Sequence, residues 1–416
     1  AAVYPDTYRR RLSDDEGRII GEIHRMRKSL TGVLTVLSML ILTVAFSAQG
    51  SAQETKMQGT GVRGTEDAEV TEMLQQMTIQ EKVAQLFFVT PQALCGTDSA
   101  VTVADQKLLK ALDRYPVGGV IFFADNLQNT QQTIQLLSGI QQHMEKNTGI
   151  PVFLGTDEEG GRVRRVGSNP VFGVTQVPAM GTLAQQKDPE VIQEAAQTIG
   201  TYLSALGFNV DFAPDADVIT NSGNTVIWDR SFGTDPQLTA KMAAAYMNGL
   251  HETGMLCTYK HYPGHGGTQA DTHQGYACTD RTLKELVQSE LVPFQDGASG
   301  KTDFIMVSHI SLPNVTGSDI PASMSPLMVQ NILREKMKYN GVIITDAMNM
   351  GAVTEHYTSA EAATDAFQAG CDVILMPEDF KSAYQALLKD VRKGRISEER
   401  LDASVSRVLK AKMNIR

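Results

Sequence analysis

The chain has 416 residues, of which 42% are hydrophobic and 20% charged, and this near-average composition excludes a disordered chain, a collagen-like repeat and a multi-span membrane protein. Four cysteines exclude a disulfide scaffold, and a net charge of −10 without a basic block argues against nucleic acid as the main partner. Two or three domains are the ordinary expectation at this length, although a single α/β barrel uses about 250 residues or more.

The most hydrophobic run, Leu30 to Phe46, follows Arg25, Arg27 and Lys28 and precedes small and polar residues as far as Gln53. This order predicts a secretory signal peptide over 26–52, with Gly50-x-Ala52 or Ala45-x-Ser47 as the cleavage site. The run also reaches the lower length limit of a membrane span, so an uncleaved anchor is the alternative. Residues 1–25 hold Arg9-Arg10-Arg11 and Asp14-Asp15-Glu16, and Met26-Arg27-Lys28 has the form of a natural start. They read as a non-native or cytoplasmic extension. Gln53 to Thr65 is polar and Gly-rich and reads as a linker, with a single catalytic domain over 66–416. The expected location is secreted or envelope-associated, with no stable membrane insertion after cleavage. Residues 1–52 carry seven basic and five acidic side chains, which leaves −12 on the remainder.

From there short β-rich runs alternate with helical stretches. The expected strands are Leu86–Thr90, Gly119–Phe123, Val152–Thr156, Asn209–Phe212, Leu256–Lys260, Phe304–Ser308, Val342–Thr345 and Val373–Met376. Short apolar runs rich in Val, Ile and Phe suit strands buried on both faces of a parallel sheet. Helices are expected at Pro189–Leu206, at Thr239–Thr253, and at Ser325–Lys338 with Ser325 as N-cap and Pro326 in the first turn. Eight such units predict an α/β fold, a (β/α)8 TIM barrel. An open doubly wound sheet is the alternative, but no Gly-x-Gly-x-x-Gly loop follows the first strand.

Catalytic groups of a barrel sit at the C-terminal ends of its strands. The third strand runs into Asp157, the fifth into Lys260-His261, the sixth into His309 and the seventh into Asp346. After the fifth strand, His261, His265 and His273 fall close together on a loop rich in glycine. Two chemistries compete there. His261, His265, Asp271 and His273 are residue types that suit zinc, but their spacing matches no metal signature. Alternatively, Asp271-Thr272-His273 places a carboxylate beside an imidazole, an arrangement suited to proton transfer near neutral pH.

Lys260-His261-Tyr262-Pro263-Gly264-His265-Gly266 followed by Asp271-x-His273 resembles the signature of the β-N-acetylglucosaminidase (NagZ-type) branch of glycoside hydrolase family 3. Met77 to Leu86, Gly118 to Phe123, Asp157 to Arg165, Phe212 to Val218, Arg230 to Gly233, Ile344 to Met350 and Ala369 to Asp372 resemble further family segments in the right order. The resemblance implies an exo-acting retaining β-N-acetylglucosaminidase (β-N-acetylhexosaminidase) with no cofactor and no metal. Asp346 would attack the anomeric carbon, and His273, paired with Asp271, would serve as acid/base. Asp157, Arg165, Arg230, Lys260 and His261 match positions that hold the sugar. His309 either orients its neighbours or contacts the substrate. The implied partner is a carbohydrate, a GlcNAc-containing muropeptide or chitooligosaccharide; nothing indicates an oligomeric state.

The chain departs from the family pattern in two places. Thr345-Asp346-Ala347-Met348 stands where a second acid often follows the nucleophile, and Trp228-Asp229 precedes Arg230 where Gly is common. A family 3 β-glucosidase or broad β-glycosidase, an inactive carbohydrate-binding protein and a zinc hydrolase are the other readings. A Cys95–Cys278 bridge is conceivable, with Cys257 and Cys371 buried as small apolar groups. With −12 on the exported part, attraction to anionic wall material is expected from Arg165, Arg230 and Lys260 at the barrel mouth.

Overall fold

The computed structural model of the protein describes residues 61–268, 277–300 and 302–415. The extension, the signal peptide, residues 53–60 and the candidate pair Asp271 and His273 lie outside them. The described chain opens with a helix, Gly61–Gln76, which starts inside the stretch read as linker and moves that boundary. Tertiary contact explains the difference. Val70 is buried in the main core, and the helix lies against the last helix, Glu398–Lys412, where Lys410 pairs with Asp67 at 2.6 Å.

The strands are β1 Phe87–Val89, β2 Gly119–Ile121, β3 Phe153–Thr156, β4 Glu158–Gly160, β5 Val163–Arg164, β6 Val210–Asp211, β7 Leu256–Tyr262, β8 Phe304–Val307, β9 Val342–Thr345 and β10 Ile374–Leu375. Eight of them form one parallel sheet in the order β10-β1-β2-β3-β6-β7-β8-β9, and a parallel bridge between Ile344 and Val373 joins its two edges. This is the expected (β/α)8 barrel, with every predicted strand placed within two residues. The antiparallel hairpin β4–β5 is an addition that the sequence pattern did not announce.

Side-chain alternation along each strand divides the apolar residues between two cores. Phe88, Phe153, Val210, Leu256, Phe304, Val342 and Val373 fill the barrel interior. Leu154, Cys257, Ile305, Ile343 and Ile374, one residue further on, face the surrounding helices. The interior is tight. Phe88 lies 5.1 Å from Phe212 and 6.2 Å from Phe153 between ring centroids. It fits because Gly119 and Gly155 face it, where a Cβ would come within 2.5 and 2.8 Å of its ring.

The helices begin on side-chain caps. Asp188 and Asp235 cap Pro189–Leu206 and Pro236–His251, each with proline in the first turn. Thr78 and Glu81 form a reciprocal capping box before the helix Ile79–Gln85. The stretch Leu327–Lys336 is wound as a π-helix where an α-helix was expected, although the Ser325 hydroxyl accepts from the Met328 amide as a cap should. The last helix, Glu398–Lys412, closes the barrel floor by adding Val408 and Ala411 to the interior cluster. All four cysteines are free, so the Cys95–Cys278 bridge is absent; Cys257 and Cys371 are buried as expected.

Candidate active site

The two-residue alternation that fills the barrel also aims its polar residues. Phe153 and Gly155 point inward, and the next position in step is Asp157. Leu256 and Thr258 lead to Lys260, and Val342 and Ile344 lead to Asp346. Three charged groups are thereby carried into the C-terminal mouth, above an apolar interior rich in phenylalanine.

There they join an ion-paired network. Lys260 Nζ donates to Asp157 Oδ1 at 2.9 Å and reaches Glu159 Oε1 at 2.7 Å. Arg230 grips Glu159 with two bonds, Nε to Oε2 and Nη2 to Oε1, both 2.8 Å. Its Nε also lies 3.3 Å from Asp215 Oδ2. Arg165 Nη2 reaches Asp157 Oδ2 at 3.2 Å, and its guanidinium lies over the Phe123 ring. Exposure falls with depth. The Arg165 and Asp157 side chains retain 27% and 17%, whereas Lys260 and Glu159 retain 3% each. The outer pair thus faces incoming ligand, and the inner pair fixes it from below.

The electrostatics follow from this arrangement. Burial opposes the charge on Asp157, but Lys260 and Arg165 outweigh it and hold the carboxyl below its ordinary value. Burial likewise opposes the charge on Glu159, yet Arg230 and Lys260 press its carboxyl far below the usual range. Asp215 goes the other way, pushed well up by burial and by the neighbouring Asp217 charge.

The three cations expected to attract anionic material are therefore each engaged by a carboxylate: Arg165 by Asp157, Lys260 by Asp157 and Glu159, Arg230 by Glu159 and Asp215. This corrects the expectation that these three residues draw in anionic wall material. The cluster orders donors and acceptors around the mouth without offering surplus positive charge.

His261 is held by Asp217, whose Oδ2 accepts from Nδ1 at 2.8 Å. Its Nε2 lies 3.4 Å from Arg230 Nη2, and since a guanidinium only donates, the ring accepts at Nε2 and donates to Asp217 through Nδ1. Burial resists the Asp217 charge, but the hydrogen bond from His261 prevails and holds the carboxyl below its ordinary value. Asp217 also accepts from the His265 amide at 2.6 Å, which ties the root of the loop after β7 to the barrel. The His265 ring is pushed below its ordinary value, chiefly by burial.

Asp215, Asp217 and His261 bring three ligand atoms within 4.8 Å of one another. Arg230 stands against two of them and supplies the cation such a cluster needs, so the donor set does not suit an added metal ion. Of the four residues weighed as zinc ligands, Asp271 and His273 are outside the described residues. His265 Nδ1 is already engaged with the Thr268 hydroxyl at 3.0 Å.

Asp346 follows β9 directly. Its amide donates to Val307 O at 2.8 Å, and its Oδ1 accepts from the Ala347 amide at 2.7 Å. His309 is fully buried; Nε2 donates to Ala347 O at 3.1 Å and Nδ1 meets the Ser323 hydroxyl at 2.8 Å. It steadies the peptide next to Asp346, so of its two expected roles the orienting one matches its contacts.

The structure thus joins Asp157, Arg165, Arg230, Lys260 and His261 in one network and sets Asp346 and His309 together. Four acids of this neighbourhood were not singled out from the sequence. Glu159, Asp215 and Asp217 are in the network, while Glu158 shapes the loop that carries Arg165. Glu158 accepts from the amides of Arg165, Val166 and Gly167 at 2.7 to 2.8 Å and from the Tyr202 hydroxyl at 2.9 Å. A signal was present: Asp215 and Asp217 alternate with apolar residues in Phe212-Ala213-Pro214-Asp215-Ala216-Asp217-Val218, a placement that demands buried partners.

Comparison with known proteins agrees with this geometry. Residues 78–411 match the glycosyl hydrolase family 3 N-terminal domain. The chain is 30% identical over 368 residues to β-hexosaminidase A of Pseudoalteromonas piscicida, covering 82% of this chain and 62% of that protein. It is 32% identical over 338 residues to β-hexosaminidase LpqI of Mycobacterium tuberculosis, covering 79% and 81% of the two chains. Among solved structures, the family 3 β-N-acetylglucosaminidase from Paenibacillus sp. str. FPU-7 superposes with a TM-score of 0.76 at 35% identity, over 81% of this chain and 62% of that one. A closed parallel barrel, a carboxylate after β9 and a match that runs from the first capping box to the last helix lead to one conclusion: the chain belongs to glycosyl hydrolase family 3.

Proposed function

We propose that the protein is an exo-acting, retaining β-N-acetylglucosaminidase that removes terminal GlcNAc from peptidoglycan-derived saccharides or chitooligosaccharides. The observation that carries this reading is the ordered pair Asp157–Arg165 above Lys260 and Glu159, on the same mouth as Asp346. Such a set presents fixed donors and acceptors to the hydroxyls of one terminal sugar and rejects sugars that cannot use them. The similarity to β-hexosaminidases and a β-N-acetylglucosaminidase supports the same glycone.

In this reading Asp346 attacks the anomeric carbon as the glycosidic bond breaks. His273, oriented by Asp271, gives its proton to the departing oxygen. A glycosyl-aspartate ester results. Water then attacks the same carbon, His273 takes its proton, and Asp346 leaves as carboxylate, so configuration is retained. The basic flank and apolar run before Ser47 support export to the envelope, where such saccharides arise.

Initial rates on nitrophenyl β-GlcNAc and nitrophenyl β-glucoside test the assignment. The expected result is a preference for the GlcNAc substrate of at least about a hundredfold in kcat/KM, since site groups left unpaired by the wrong sugar reject it by up to about 10⁴–10⁵. A preference for glucose would overturn it.

A further inference from the structure

Strands β8 and β9 run side by side in unbroken register, with Phe304 opposite Val342, Ile305 opposite Ile343, Met306 opposite Ile344 and Val307 opposite Thr345. The next rung sets Ser308 opposite Asp346. Contacts on either side of that rung fix the placement. The Asp346 amide donates to Val307 O at 2.8 Å, and one residue further on His309 Nε2 donates to Ala347 O at 3.1 Å. Parallel strands stand about 4.8 Å apart, and residues of one rung turn their side chains to the same face. Phe304, Met306, Val342 and Ile344 face the barrel interior, so Ser308 and Asp346, two residues further along, face it too. The Ser308 hydroxyl therefore stands beside the Asp346 carboxylate.

The backbone of Ser308 is employed on both sides. Its amide donates to Tyr262 O at 2.8 Å, and its carbonyl accepts from the Ser323 amide at 3.1 Å. The hydroxyl is different. Ser308 is fully buried, and among the described residues its Oγ has no hydrogen-bond partner. Leaving a buried hydroxyl unpaired is costly, and alanine at this place would avoid the cost. Asp346 is only partly buried, and its Oδ1 is turned to the Ala347 amide at 2.7 Å. Hydrogen bonds to a reacting group commonly tighten only when substrate is bound.

We propose that Ser308 is a positioning residue for the nucleophile, its hydroxyl donating to the Asp346 carboxylate during the reaction. The inference rests on the reading of Asp346 given above. With the Ala347 amide on one side and the Ser308 hydroxyl on the other, the plane of the carboxylate is held toward the anomeric carbon. Asp346 gives up its negative charge as the glycosyl ester forms and regains it as water opens the ester. The Ser308 hydroxyl is a donor already in place for the returning charge, and it keeps its own proton throughout.

Ser308→Ala removes the hydroxyl and nothing else. It is compared with the wild type and with Asp346→Ala on whichever of nitrophenyl β-GlcNAc and nitrophenyl β-glucoside the wild type turns over faster. In Ser308→Ala, kcat and kcat/KM should fall together by about tenfold, the worth of one hydrogen bond made in the transition state. The acid limb of the kcat/KM profile should move up by about half to one pH unit, because the carboxylate has lost a donor to its charged form. The melting temperature should equal or exceed that of the wild type, since the unpaired hydroxyl is gone. A merely structural serine would give the opposite pattern. An unchanged kcat and acid limb, or a loss of kcat with a lower melting temperature and an unmoved acid limb, would overturn the proposal. An inactive Asp346→Ala beside a fully active Ser308→Ala strikes Ser308 alone and leaves the nucleophile standing; an active Asp346→Ala strikes both.

Discussion

Glu159 is the residue on which the mouth network converges, because it pairs with both Arg230 and Lys260 while almost completely buried. Removing one partner from a buried charge cluster leaves the others uncompensated, a loss of about 3–5 kcal/mol. Glu159→Gln keeps the shape and removes the charge. Urea denaturation near neutral pH should show a loss of that order, accompanied by a raised KM. A loss below about 0.5 kcal/mol, the size of an ordinary surface change, would mean that the cations find other partners. At this scale the sequence was informative about strand-end residues such as Asp157, Lys260 and Asp346, because position at a barrel mouth assigns them by topology alone. Their counter-charges were harder to see. Glu158 and Glu159 differ only in which way the chain turns after β3: Glu158 bonds backbone amides and Glu159 meets guanidinium and ammonium. Two adjacent glutamates carry no mark of that difference in a sequence.

At the scale of elements, the strands were legible because burial on both faces leaves a short apolar run, and each barrel strand does so. The β4–β5 hairpin was not, since Glu158 to Arg164 is charged and Gly-rich and the turn back is held by the Glu158 carboxylate and the amides of Arg165, Val166 and Gly167 that it faces. The π-winding of Leu327–Lys336 was equally hidden, because a shift in backbone hydrogen bonding leaves the apolar pattern nearly unchanged. The barrel interior depends on glycine as much as on phenylalanine. Gly119→Ala would drive a methyl group to 2.5 Å from the Phe88 ring. We expect it to destabilise the protein by about 1–3 kcal/mol, and Phe88→Leu in the same chain to restore part of that loss. Thermal unfolding of the two single variants and the double variant measures the coupling. Strict additivity would show that Gly119 does not serve to make room for Phe88.

Across the whole molecule, the closed sheet separates a polar mouth from a floor sealed by the last helix. Lys412 of that helix is 2% exposed, donates to Gln85 Oε1 at 2.7 Å and lies over the Phe153 ring at 5.1 Å. Burial pushes its ammonium down to about 7 from an ordinary value of 10.5. Between those values the unfolded chain holds a proton that the folded one has released, so folding stability rises with pH across that window. The rise attributable to Lys412 is up to about 1.4 kcal/mol per pH unit. Lys412→Met should lack it. Urea midpoints of both proteins at pH 7, 8 and 9 should therefore diverge, the wild type gaining on the variant; parallel curves would show that Lys412 stays charged in the fold. Among the described residues no helix is long and apolar enough to cross a membrane.

If the protein works as proposed, Asp346 forms a covalent bond to the GlcNAc residue during turnover. A 5-fluoro-β-GlcNAc fluoride offers a good leaving group, while its ring fluorine slows the attack of water, so the glycosyl-enzyme should accumulate. Digestion and mass mapping should place one fluorinated sugar on the peptide that contains Ile344-Thr345-Asp346-Ala347, bonded to the Asp346 carboxylate. A label on any other residue, or rapid turnover through a site that survives Asp346→Ala, would contradict the account.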